Sequence, residues 1–177
     1  MKTYALVTLY NPGKTEKDNC KALAQQVDAV ILCDNSKDSH GLDYCEEENI
    51  FYTTENKNLG LCGAFNSVLK DPAYGWKDDD LIIFFDQDSQ IGEGYIQALQ
   101  DEYRKIETLI PNLGCLGPVF YNTSNGRTER PRQKKNITDE TYEVSNTITS
   151  SLMMRYGNLK RIDSVSYTHL RAHETRG

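Results

Sequence analysis

No apolar run among the 177 residues exceeds five, as at Leu81 to Phe85, far short of the roughly 20 that a membrane helix needs. The N-terminal MKTYALVTLY has neither a long apolar core nor a small-residue cleavage site, so it reads as a first strand and not as a signal peptide. Histidine is scarce: of three, His169 and His173 fall in the last stretch, leaving His40 in KDSHGLD as a loop residue. No Ser-His-Asp arrangement can be built from that. The five cysteines form no C-x-x-C pair and are odd in number. Most lie among apolar neighbours, which favours buried thiols in a reducing cytosol over zinc or disulfides. A surplus of basic charge is also missing. A net charge of −6 and a pI near 5.1 argue against a general nucleic-acid surface. The exception, RTERPRQKK (Arg127 to Lys135), lies among Asn, Ser, Gly and Pro and reads as a solvated loop, with acceptor or phosphate contact as its functional alternative.

What is present fits one soluble globular domain, long enough to bury about 70% of its extended surface. YALVTLY (Tyr4 to Tyr10) predicts a strand closed by Asn11-Pro12-Gly13. Thr15 is expected to cap a helix in which Cys20, Leu23, Ala24 and Val27 share a face. AVILCDN (Ala29 to Asn35) and IFYTTEN (Ile50 to Asn56) predict the second and third strands, and Leu61, Ala64, Phe65, Val68 and Leu69 repeat at helical spacing before Pro72. LIIFF predicts a fourth strand, Tyr95 to Ile110 a long helix, and LGCLGPVF (Leu113 to Phe120) a fifth strand. Near-continuous apolar strands alternating with amphipathic helices imply βαβ units around a mainly parallel sheet. In such sheets ligands bind outside the carboxyl ends of the strands, where Asn11, Asp34, Asn56 and Asp86 all fall. VSYTHLRAHETRG (Val165 to Gly177) breaks the pattern and reads as a non-native tail, so residues 1–163 are expected to form the domain and 164–177 to stand outside it. His169 and His173 are four apart, a spacing also compatible with a metal pair.

Four segments could carry chemistry. In Asp86-Gln87-Asp88, taken as extended, residues two apart share a side, so both carboxylates would face one ligand. Hard cations such as Mg2+ or Mn2+ bind through one or two carboxylates plus substrate phosphates; the bland reading is a solvated turn. In NKNLGLCGAFN (Asn56 to Asn66), Gly60 and Gly63 flank a helix start whose N–H groups favour an anion. That segment lacks the P-loop and dinucleotide signatures, and a packed turn is its structural alternative. Asn66 is expected on the face near Asn58 or Leu59. Asp34 could accept the ring N–H of a pyrimidine, with Asn35 and Ser36 on the ribose, or the three could form an Asx turn. Thr8 to Asn11, including Tyr10, offers backbone groups as a base-binding edge.

Together VTLYNP, LCDNS, NKNLGLCGAFN, LIIFFDQDS and NTITSSLMM, in this order over residues 3 to 163, resemble family 2 glycosyltransferases, and within them the rhamnosyltransferase-like branch that builds surface polysaccharide. The resemblance implies an α/β GT-A fold, a Rossmann-like mainly parallel sheet flanked by helices, and a metal-dependent, inverting transferase using a UDP- or dTDP-sugar and Mg2+ or Mn2+. It implies Asp34 at the base, the Asn58-Leu59-Gly60 turn beside the nucleotide sugar, Asp86 on ribose or metal, and Asp88 on the metal. Donor contacts are expected from Thr8, Tyr10, Asn11, Asp34, Asn35, Asn58, Gly60, Asn66, Asp86 and Gln87. The acceptor is expected to be a saccharide or lipid-linked, with the chain in the cytoplasm or peripherally at the inner face of the membrane. The acidic motif that carries the family's base is expected beyond the Thr149-Ser150-Ser151 region, where the match stops near Asp163, so the chain reads as C-terminally truncated and binding donor only. The rival readings are a haloacid-dehalogenase-like phosphatase with Asp86 as nucleophile and Asp88 as acid, and a non-catalytic nucleotide-sugar or cation-binding module. A nucleotidyltransferase would share the architecture, but NPGKTEK is a poor version of its loop.

Overall fold

The computed structural model describes residues 1–39, 47–122 and 126–162. His40, Cys45, His169, His173 and the tail expected after residue 163 lie outside the described residues. In chain order the elements are β1 (Thr3–Leu9), α1 (Lys14–Ala24), β2 (Ala29–Asp34), β3 (Ile50–Thr54), α2 (Gly60–Leu69), β4 (Leu81–Asp86), α3 (Tyr95–Leu109), β5 (Phe120–Asn122), β6 (Arg127–Glu129), β7 (Gln133–Asn136), β8 (Tyr142–Val144), β9 (Leu152–Arg155) and α4 (Tyr156–Arg161). A 3-10 turn at Pro72–Tyr74 follows α2.

The main sheet runs β3-β2-β1-β4-β9, with β9 antiparallel to β4 and all other pairings parallel. The apolar runs of β1, β2 and β4 are near-continuous because these strands are covered on both faces. Alternate residues go to opposite sides. Val7, Leu32, Ile83 and Phe85 pack with Leu23 of α1 and with Ile96, Leu99 and Tyr103 of α3. Leu6, Ile31, Ile82 and Phe84 pack with Phe65 and Val68 of α2 and with Leu159 of α4.

Two expectations are corrected. Thr15 does not cap α1: the helix starts at Lys14 with Gly13 at its N-cap, and Glu16 reaches back so that its Oε2 accepts the Gly13 N–H at 2.9 Å. Residues 113–120 do not form the fifth strand of the sheet. Only Leu116 bridges, exchanging N–H···O bonds of 2.9 and 2.8 Å with Met153, and β5 pairs separately with β6. Gly114, Gly117 and Pro118 favour neither a ladder nor a strand conformation, since proline has no N–H to donate. The place beside β4 is taken by β9.

Candidate active site at the carboxyl edge of the sheet

From β1 the chain builds outward through β2 to β3, then returns to the other side of β1 for β4. The strand order therefore reverses between β1 and β4, the place where open α/β sheets form a crevice at their carboxyl ends. Thr8 stands opposite Cys33 on one side and Asp86 on the other.

Beyond Thr8 the backbone is tied down. The Leu9 carbonyl accepts the Asn35 N–H at 2.8 Å, the Tyr10 N–H donates to Gln87 Oε1 at 2.7 Å, and the Asn11 N–H donates to Ser36 Oγ at 2.8 Å. These backbone groups, expected as a base-binding edge, fasten the ends of three strands together. The Tyr10 and Asn11 side chains stay exposed at the edge. The Thr8 hydroxyl is buried and has no hydrogen-bond partner among the described residues.

Asp34 is 4% exposed. Its Oδ1 accepts the Ser36 N–H at 2.8 Å, the Asx turn considered as the alternative, and its Oδ2 accepts the Tyr52 hydroxyl at 2.7 Å. Asn35 spans to the glycine segment: its Oδ1 accepts the Leu59 N–H at 3.0 Å and its Nδ2 donates to the Gly60 carbonyl at 3.1 Å. Asn58 Oδ1 accepts the Gly60 N–H at 2.8 Å. Two amides at the start of α2 are therefore held by side chains. Gly60 sits at φ +70°, a left-handed conformation that glycine adopts without steric cost. At Gly63 a Cβ would lie 2.7 Å from Leu59 Cβ, so only a hydrogen lets the turn close on the helix. Asn66 lies half-buried two turns into α2, seven residues beyond Leu59 and on its face.

The acidic segment is a turn and not an extended strand end. The Ser89 N–H donates to the Asp86 carbonyl at 3.1 Å, so the same-side placement expected of Asp86 and Asp88 does not follow from strand periodicity. Asp86 is half-buried and Asp88 exposed. The turn is held from three sides. Asn19 of α1 donates from Nδ2 to the Gln87 carbonyl at 3.1 Å, the Tyr10 amide holds Gln87, and the Ser89 hydroxyl meets that of Ser150 ahead of β9. Next in the chain, Ser151 adopts φ +64° and donates its N–H to the Phe84 carbonyl at 2.7 Å. Its side chain hydrogen-bonds the Tyr95 hydroxyl, whose pKa burial pushes above the ordinary tyrosine value.

Sequence reasoning missed Asn19, Tyr52, Ser89 with Ser150, and Tyr95. Each joins the site through a partner distant in sequence, for which no local pattern exists. Among the described residues no three His, Cys, Asp or Glu side chains converge as a metal cage. Asp86 and Asp88 supply two carboxylates, a donor set that suits Mg2+ or Mn2+ where phosphate oxygens and water complete the shell. Cys20 and Cys33 are buried and outside any disulfide, and burial pushes the Cys33 thiol upward.

The sheet order and flanking helices are those of the GT-A fold. Staphylococcus aureus TarS 1-349 superposes with a TM-score of 0.63 at 21% identity over 92% of this chain and 49% of that one. A second S. aureus TarS structure gives 0.64 at 20% identity over 92% of this chain, which spans only 30% of it. 4-Diphosphocytidyl-2C-methyl-D-erythritol synthase shares the architecture at 0.56 and 11% identity, over 95% and 82% of the two chains. No functionally curated protein matches the chain in sequence. The sequence model of one family, Glycosyl transferase family 2, covers residues 5–163, from the first buried apolar residue of β1 to past the end of α4, and the chain belongs to that family.

Proposed function

We propose that the carboxyl edge of the sheet binds a nucleotide-diphosphate sugar, as the donor half of an inverting glycosyl transfer. What carries the reading is the convergence of the Asp34 turn, the Asn58-Leu59-Gly60 turn and the Asp86-to-Ser89 turn at the β1/β4 reversal, two of them clasped by Asn35. In this reading the base and ribose lie by Asp34, Asn35 and Tyr10, and the sugar-bearing end lies by Asn58, Gly60 and Asn66. The diphosphate lies by Asp86, Gln87 and Asp88. Asp86 and Asp88 hold Mg2+ or Mn2+, which supplies positive charge where the leaving diphosphate gains negative charge. An acceptor hydroxyl forms the new bond to the anomeric carbon as the bond to the phosphate oxygen breaks, and its proton passes to a carboxylate base for which this reading names no residue.

The finer assignments belong to the same proposal: a dTDP- or UDP-linked sugar such as rhamnose, an acceptor in surface polysaccharide synthesis, and a site of action in the cytoplasm or against the inner face of the membrane. Among the described residues no helix is long and apolar enough to cross a membrane. The family match lends nothing to the phosphatase alternative. A thermal-shift panel tests the reading: UDP or dTDP with Mn2+ raises Tm, and Asp88→Ala removes the Mn2+-dependent part. No response to any nucleotide sinks it. A nucleotide response without transfer to any saccharide acceptor favours a binding module.

A further inference from the structure

Asn19, half-buried on α1, belongs to none of the three turns that make the proposed donor edge. It reaches the acidic one all the same: its Nδ2 donates to the Gln87 carbonyl at 3.1 Å, across 68 residues of chain. Gln87 is gripped a second time through its side chain, whose Oε1 accepts the Tyr10 N–H at 2.7 Å. A backbone N–H can only donate, so the amide oxygen of Gln87 is fixed toward the end of β1. Both the main-chain and the side-chain oxygen of the residue between the two aspartates are thus spent on the chain itself.

Their place in the turn gives these bonds leverage. Gln87 and Asp88 are its central residues, and the Ser89 N–H closes it on the Asp86 carbonyl at 3.1 Å. The carbonyl that Asn19 holds belongs to the peptide joining Gln87 to Asp88. In a four-residue turn that central peptide can flip while both ends stay in place, which carries the third residue to positive φ. Asp88 is not at positive φ, and a flip would re-aim its carboxylate. Asp88 is also exposed, so packing does not hold it. Mg2+ demands near-ideal octahedral oxygen geometry, and a ligand carried on a turn meets that demand only when neighbouring bonds fix the turn.

We infer that Asn19 and Gln87 are positioning residues for the metal carboxylates. Asn19 locks the Gln87–Asp88 peptide, and Gln87 ties the turn to the end of β1, so the aspartates on either side of Gln87 keep one arrangement. The inference rests on the reading above of Asp86 and Asp88 as the carboxylates for Mg2+ or Mn2+. The probe is Mn2+ alone, titrated into the full 177-residue protein, with the free ion read by electron paramagnetic resonance. One site is expected, and Asp88→Ala should remove it. Asn19→Leu keeps the bulk and deletes the donor; it should weaken Mn2+ about tenfold, the scale seen when a partner of a metal ligand is lost, at a Tm in EDTA close to the parent's. Asn19→Ala takes its place if leucine unfolds the protein. Gln87→Leu releases Tyr10 and should weaken Mn2+ to a similar extent. Parent Mn2+ affinity in a folded variant overturns the assignment of that residue, and a lowered Tm with parent affinity makes it merely structural. UDP is titrated into the same samples, in EDTA and with Mn2+. Mn2+ binding that depends on Asn19, in a protein that takes no UDP in either condition, supports the positioning and removes the donor reading. UDP binding beside Mn2+ binding indifferent to Asn19, or beside no Mn2+ binding, removes the positioning and spares the donor reading.

Discussion

The side chains that matter most at the site are those that bind other parts of the chain. Asn35 is 5% exposed and closes one hydrogen bond to the Leu59 amide and one to the Gly60 carbonyl, so it sets the distance between the end of β2 and the start of α2. Asn35→Ala should cost about 1–2 kcal/mol, read as a lower urea midpoint, and should weaken nucleotide binding by loosening the turn. An unchanged midpoint would show that the clasp is dispensable. Thr8 gives the opposite expectation. Its hydroxyl is buried without a partner among the described residues, and replacing such a group by one of the same shape is near neutral or stabilising. Thr8→Val should therefore hold or raise Tm while leaving the nucleotide-induced shift intact; a lost shift would place that hydroxyl on the nucleotide. These roles were only partly legible. The types Asp34, Asn35, Asp86 and Asp88 at strand ends could be read directly. That Asn35 serves Leu59 and Gly60, or that Asp34 is held by Tyr52, depends on contacts 18 to 25 residues apart.

At the scale of elements, the βαβ series was legible because β1, β2 and β4 are apolar on both faces and α3 carries Ile96, Leu99, Tyr103 and Ile106 at helical spacing. What escaped was short or polar. β7 reads QKKN and is exposed throughout, so it lacks the alternation that marks a half-buried strand. The antiparallel β9 was hidden because Leu152–Arg155 is only four residues long. Its docking on α3 leans on one ion pair: Arg155 Nη2 donates to Glu107 Oε2 at 2.6 Å, and Nη1 donates to the Asp79 carbonyl at 2.9 Å. The Arg155 hydrogen bond holds the Glu107 carboxyl below its ordinary value of 4.5. Because the folded pKa is the lower one, the pair's stabilisation is complete above the ordinary carboxylate value and is lost as pH falls through the lowered one. Both side chains are a quarter to a third exposed, so about 1 kcal/mol or less is at stake. Glu107→Gln should be less stable than the parent at pH 7, and the two denaturation curves should converge as the pH falls through the lowered Glu107 value. A gap that persists there would assign the loss to packing.

Over the whole molecule, cohesion and charge are unevenly spread. The main sheet lies between two apolar layers, whereas β5–β6 and β7–β8 are separate two-stranded sheets whose cations, Arg127, Arg130, Arg132, Lys134 and Lys135, gather in a chain of net charge −6. An isolated two-stranded ribbon is marginal in water, and here the Thr141 hydroxyl ties the β7–β8 ribbon to Glu102 of α3. Local opening should therefore cost far less there than in the sheet. Hydrogen exchange should show the amides of β1, β2 and β4 protected to the level of global unfolding. The β7–β8 amides should exchange faster by on the order of 100-fold or more, a ratio that follows from the spread between local and global opening. Equal protection of ribbon and sheet would mean that β7–β8 belongs to the same cooperative unit as the core.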